Sequence, residues 1–192
     1  FFFSPDLSTS NRATIGGMVN TDASGAGSLV YGKTSDHVLA LSSVLYDGSI
    51  LDTEVVSLQG LNHLDTVTSN PLGQKLIREV ASLCRDNRSE IDRRFPKLNR
   101  FLTGYDLKHV WNEELTEFNL SRILTGSEGT LAVITEATLN ITPLPSVRMM
   151  VNIKYDSFES ALRHAPDLVK ANATVVETVD STVLNLAKQD II

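Results

Sequence analysis

At 192 residues the chain is long enough for one domain and part of another, and a hydrophobic content of 42% provides for a sizeable core. A formal charge of -6, with Lys and Arg scattered rather than gathered in a stripe, argues against nucleic acid or an anionic membrane as the main partner and leaves a small molecule as the default. The single cysteine, Cys84, excludes an intrachain disulfide and a cysteine-built metal or iron-sulfur site, and no apolar run reaches the length of a bilayer span.

Phe1, Phe2 and Phe3 lead directly into a motif with no initiator Met, so the chain reads as a piece of a longer protein. Residues 1–34 read as loop, with glycines clustered at Gly16-Gly17 and across 25–32. Within them, residues 4–25 (SPDLSTSNRATIGGMVNTDASG) form a polar, glycine-rich cradle. Pro5 fixes a torsion, Asp6, Ser8, Thr9, Ser10, Asn11 and Thr14 supply oxygens and an amide, and Gly16 and Gly17 let backbone approach a ligand closely.

Residues 37–45 are apolar and β-compatible, and Asp47-Gly48 predicts a hairpin into residues 49–53. Asn70 and Pro71 start a predicted helix whose apolar face carries Leu72, Leu76, Ile77, Val80, Leu83 and Cys84. It ends in RDNRSEIDRR, which reads as a solvated helix face. Cys84 reads as a small core residue. Residues 103–107 mark a turn into a short helix carrying Val110 and Trp111, and residues 119–124 read as a last helical turn before Gly126. Residues 131–142 (LAVITEATLNIT) predict a strand, apolar enough in its first half for burial on both faces and stopped by Pro143 and Pro145. Beyond it, residues 147–155 alternate as a strand, Ser157 caps a helix that Pro166 kinks or splits, residues 174–179 form a second strand and residues 181–188 a second helix.

Residues 27–34 (GSLVYGKT) match the phosphate-loop pattern G-x-x-x-x-G-K-T letter for letter, but a phosphate loop follows a buried strand and opens a helix. Here polar residues precede and a strand pattern follows, so a structural connection is the better reading and a nucleotide-binding P-loop the alternative. Gly25-Ala26-Gly27 lacks the third glycine of a dinucleotide fingerprint. His37, His63, His109 and His164 form no metal-ligand pair and read as structural or surface histidines, so no metal site is expected.

Thr14-Ile15-Gly16-Gly17 and, downstream, Gly126-Ser127-Glu128-Gly129-Thr130-Leu131 occur in an order and wording that resemble the vanillyl-alcohol-oxidase-type (PCMH) flavoproteins. Within that superfamily the chain is similar to the D-2-hydroxy-acid dehydrogenase branch, which includes D-lactate dehydrogenase, the glycolate oxidase flavin subunit and bacterial D-2-hydroxyglutarate dehydrogenase. The resemblance implies an α+β fold. Residues 1–145 would be the second subdomain of an FAD-binding domain, a mainly antiparallel sheet flanked by helices, and residues 146–192 the start of an α+β substrate-binding cap domain.

It implies FAD as cofactor, with Pro5, Asp6, Thr14, Ile15, Gly16 and Gly17 on the pyrophosphate and isoalloxazine side. Glu128, Gly129, Thr130, Leu131, Val133 and Ile134 would lie near the adenine, where backbone around Val133 reads the base edge. Asp22 and Gly25 fall where relatives often carry N-A-G-G, so Asp22 places a carboxylate close to flavin or substrate. Ala132 stands for the usual glycine, and residues 59–102 are an insertion expected to be a surface helical excursion.

The implied activity is oxidation of a D-2-hydroxy acid of the D-2-hydroxyglutarate or D-lactate class to the 2-oxo acid, with hydride transfer to flavin N5. Catalytic residues are expected outside this stretch, which alone should neither turn over nor hold FAD tightly. A cytoplasmic location, at most peripheral to the inner membrane, goes with this reading. Same-fold chemistry, as in alditol oxidases or enolpyruvyl reductases, and a non-catalytic flavin scaffold remain alternatives, and the electron acceptor and oligomeric state stay open.

Overall fold

Thr14 stops the chain from running as loop through its glycines: its extended backbone and its Oγ1, which accepts the Gly17 amide at 3.1 Å, start helix α1, Ile15–Asn20. In this computed structural model, which describes residues 1–98 and 104–189, the expected loop over residues 1–34 is therefore interrupted by α1 and by one turn of helix, α2, Ser28–Tyr31. A 3-10 turn, Thr34–Asp36, then leads into strand β1, Val38–Val44. The hairpin expected at Asp47-Gly48 is present: Gly48 takes φ +82°, Asp47 accepts the Ser49 amide at 3.0 Å, and β2, Ile50–Thr53, returns antiparallel with Leu41 opposite Thr53.

Strand β3, Val55–Ser57, is followed by two short helices, α3, Leu58–Asn62, and α4, Leu64–Val67. Helix α5, Pro71–Asp86, begins where the sequence placed it, with Asn70 Oδ1 accepting the amides of Leu72 and Gly73. Its buried face is Gly73, Ile77, Ala81 and Cys84, whereas Leu83, expected on that face, is exposed. Burial pushes the Cys84 thiol up, as suits a core residue. The charged run forms helix α6, Arg88–Arg94, whose ion pairs are local: Arg88 with Asp92, and Glu90 with Arg93 and Arg94. Hydrogen bonds from Arg93 and then Arg94 hold the Glu90 carboxyl down at about 2.

Strand β4, Glu117–Asn119, pairs antiparallel with β3, and α7, Ser121–Leu124, supplies the helical turn expected there. Strand β5, Val133–Leu139, lies antiparallel on the other side of β1, giving a sheet in the order β2-β1-β5. It is shorter than the predicted 131–142 strand, and burial on both faces is not found, since Val133 is 65% exposed on an edge strand.

Two further expectations are corrected. Val110 and Trp111 lie on no helix: the Trp111 backbone bridges to Phe118, and the Asn112 side chain accepts the amides of Thr116 and Glu117, closing a tight return of the chain. Thr103, which opens the predicted turn, lies outside the described residues, as do the last four residues of the supposed 59–102 excursion. That excursion is no surface appendage, because Leu64, Ile77, Ala81, Cys84 and Ile91 share one core with Leu41, Leu51, Val110, Trp111 and Phe118. Trp111 Nε1 donates to the Ala81 carbonyl of α5 at 3.0 Å, and a Cβ at Gly73 would meet Leu51 at 2.6 Å, so α5 is packed tightly on β2.

The chain divides into two compact units, Phe1–Thr142 and Pro143–Ile192. The described part of the second holds helix α8, Phe158–Lys170, capped by Ser157 and continuous through Pro166, and helix α9, Ser181–Gln189. The strands expected at 147–155 and 174–179 are absent among the described residues, where both stretches lack a ladder partner. Alternation alone does not make a strand without a neighbour to pair with.

Candidate functional site

The first turn of α1 faces solvent. Gly16 is exposed and a Cβ built on it meets nothing within 4 Å, Ile15 is exposed beside it, and Gly17 packs against the capping Thr14 hydroxyl. Met18 and Val19, on the opposite face, anchor the helix by burial. The result is a bare strip of backbone held rigidly from behind.

Pro5 is buried and Asp6 exposed, and the Asp6 carbonyl accepts the Ala26 amide at 3.1 Å. A Cβ at Gly25 would lie 1.4 Å from that carbonyl oxygen, so only glycine lets the two segments cross. Ser4 fixes the crossing from below: its hydroxyl hydrogen-bonds His37 Nε2 at 2.9 Å and accepts from Thr142 at 3.0 Å. Buried His37, also bonded to the Tyr31 carbonyl, is thus a structural histidine.

Asp22 keeps its carboxylate within the protein. It is buried, in the left-handed region at φ +46°, and its carboxylate forms an ion pair with buried Lys33. The same carboxylate accepts the Ser35 amide at 2.8 Å and the Ser35 hydroxyl at 3.2 Å. Lys33, the lysine of the phosphate-loop pattern, is therefore committed to Asp22, and the residues after it form a 3-10 turn and a strand instead of the long helix a phosphate loop needs.

Residues 126–130 are hung on the far end of α1. The Gly126 amide donates to Val19 O at 2.9 Å and the Glu128 amide to Asn20 O at 2.8 Å, while Gly126, Glu128 and Gly129 all take positive φ. Glu128, Gly129, Thr130 and Leu131 are exposed, and Thr130 Oγ1 donates to Ser127 O and meets the Tyr105 hydroxyl. Val133 and Ile134 are held in β5, opposite Val44 and Ser43, beyond the loop itself. The structure thus joins Thr14 to Gly17 with Asp22 and the 126–130 loop through one helix, and Pro5 and Asp6 with Gly25 through one crossing.

Between Asp22 and the 126–130 loop lies a cavity of about 330 Å³, bordered by Lys33, Tyr105, Asp106, Thr125 and Glu128. Sequence reasoning missed Lys33, Tyr105 and Asp106 as neighbours of the site: Lys33, 11 residues from its partner Asp22, reads as part of the phosphate-loop pattern, and nothing local brings Tyr105 and Asp106 to Asp22, far earlier in the chain. Thr125 Oγ1 in its wall is buried without a hydrogen-bond partner. Burial pushes the Asp106 carboxyl up, but hydrogen bonding to His109, the His109 and Lys33 charges and the His109 amide outweigh it and hold it below the ordinary range. The bare backbone at Gly16, the exposed hydroxyls of Ser8, Thr9 and Ser10 and the unpaired Thr125 hydroxyl fit a ligand rich in phosphate and ribose oxygens, as FAD is.

Comparison with known proteins gives the class first: residues 1–54 match the family model described as an FAD binding domain. That span holds Pro5 through Gly25 and stops before the 128–134 segment. Across all 192 residues the chain is 62% identical to the D-2-hydroxyglutarate dehydrogenase of Escherichia coli (strain K12) and 47% identical over 194 aligned positions to that of Pseudomonas putida. It is 28% identical over 170 residues, 88% of this chain and 25% of the relative, to glycolate oxidase subunit GlcD of Bacillus subtilis (strain 168). The chain spans 19% of the length of the D-2-hydroxyglutarate dehydrogenases it matches. These findings bear out the resemblance to FAD-binding flavoproteins of the D-2-hydroxy-acid dehydrogenase branch and indicate FAD as the cofactor.

Proposed function

We propose that the protein carrying this chain is an FAD-dependent oxidoreductase that converts a D-2-hydroxy acid of the D-2-hydroxyglutarate class to its 2-oxo acid. The observation that carries this reading is the 62% identity to D-2-hydroxyglutarate dehydrogenase along the whole chain. Bound FAD would supply the two-electron acceptor for the oxidation. Thr14 through Gly17 would present bare backbone to it, Gly25 locks the crossing of its own segment with Pro5 and Asp6, and residues 128–131 form an exposed loop leading to Val133 and Ile134. In this proposal residues 1–145 are the second subdomain of the flavin domain, and residues 146–192 open a substrate-binding cap that carries the catalytic groups. The substrate is a small 2-hydroxy acid, electrons pass on to a separate acceptor, and the protein works in the cytoplasm; among the described residues no helix is long and apolar enough to cross a membrane.

The test is an anaerobic titration of the flavin absorption band in the protein carrying this chain. Bleaching by D-2-hydroxyglutarate, with none by its L enantiomer, is the expected result. A flavin that only an alditol bleaches, or a protein that takes up no flavin, would overturn the proposal.

A further inference from the structure

The carboxylate at position 22 stands beside a site proposed to hold a diphosphate, where a bare negative charge would repel the ligand. Lys33 cancels that charge at contact distance, and both side chains are almost fully buried, at 7% and 6% exposure. A buried ion pair of this kind is costly unless the remaining oxygens are satisfied, and here Ser35 satisfies them with its amide and hydroxyl. The pair therefore ties the turn after α1 to the segment leading into β1, a link doubled by the Thr34 amide and hydroxyl, which both donate to the Ala23 carbonyl.

The other side of the same turn carries the 126–130 loop. The Asp22 and Gly126 amides share the Val19 carbonyl, and a Cβ at Gly126 would lie 3.1 Å from the Asp22 Cβ, so the loop rests directly on this residue. Asp22 must also hold a left-handed backbone, which costs a non-glycine residue energy and needs a tether. We infer that Asp22 is a positioning residue for the cofactor cradle. Acting through Lys33 and Ser35, it fixes the turn that aligns the exposed first turn of α1 with the 126–130 wall, without itself contacting FAD. This inference rests on the flavin reading above.

The experiment uses the protein carrying this chain, stripped of flavin and titrated with FAD, together with hydrogen exchange of the apo form. Asp22→Asn and Lys33→Met should each weaken FAD binding at least tenfold. The double variant should be no weaker than the poorer single one, because the two side chains act as one unit. In Asp22→Asn, faster exchange should be confined to the amides of residues 126–130 and the turn at 21–24. Ser35→Ala keeps the charge pair and removes one donor; it should weaken FAD binding two- to fivefold with the same local exchange pattern, and it carries the test if the charge variants do not fold. Folded variants that bind FAD as the wild type does, or single effects that simply add, overturn the inference while leaving the flavin reading intact. A wild-type protein that binds no FAD overturns both.

Discussion

A methyl group added at Gly25 has no space, because it would fall on the Asp6 carbonyl oxygen, and neither backbone is at the end of a flexible side chain that could move aside. Gly25→Ala should therefore cost about 3 kcal/mol or more in urea unfolding, the upper range for an overpacked site. Gly16→Ala should behave oppositely: with nothing within 4 Å, the methyl should leave stability unchanged or raise it by up to about 1 kcal/mol through helix propensity. The same methyl would stand on the bare backbone strip, so FAD affinity in the protein carrying this chain should fall at least tenfold. Wild-type affinity in that variant would remove Gly16 from the site.

Asp106 gives a pH prediction: its carboxyl is held below its ordinary value, so its contribution to stability is complete above the unfolded carboxylate value of about 3.9 and fades as pH falls through the lower folded value. The stability gap between wild type and Asp106→Asn should be constant near neutrality and close only below about pH 4. A gap that closes instead between pH 5 and 7 would show that the Asp106 carboxylate does not carry this contribution.

Asn70 joins two elements with one side chain. Its Oδ1 caps α5, and its Nδ2 donates to Ser49 Oγ at 2.9 Å and Ile50 O at 2.8 Å, fastening the helix start to the β1-β2 hairpin. Asn70→Ala should cost about 1–2 kcal/mol and Asn70→Asp about half as much, since the carboxylate keeps the cap and loses the two donors. Equal losses in the two variants would mean that the hairpin contacts, not the cap, carry the effect.

This helix and the hairpin were legible in the sequence because their signals are local: Asn70-Pro71 starts one and Asp47-Gly48 turns the other. Trp111 was misassigned because an apolar residue near a turn suits a helix as well as a bridge, and what decides is Asn112 capping amides four and five residues on. In the candidate site, the TIGG and GSEGT segments were recognisable as wording, but their junction was not. It runs through backbone bonds from Gly126 and Glu128 to α1 and through a buried pair in which Lys33 had appeared to belong to a phosphate-loop pattern.

At the scale of the whole chain, the core formed by the described residues lies within Phe1–Thr142, where helices and sheets bury Leu41, Leu51, Ile77, Val110, Trp111 and Phe118 together. Among the described residues from 143 to 189 none is buried, and Phe158 and Leu162 on α8 and Val183 and Leu186 on α9 are roughly half exposed or more. Helices of 13 and 9 residues gain little from propensity alone and depend on covering an apolar face. In the 192-residue chain, then, amides of α8 and α9 should exchange within the dead time of a manual experiment, while those of β1 and the middle of α5 should remain protected. Limited trypsin digestion should cut first at Arg148 or Lys154 and leave a resistant product ending at Arg148, just past the first unit. Protection in α8 matching that in α5, or a first cut within residues 1–98, would show that the second unit carries a core of its own and would defeat this division of stability.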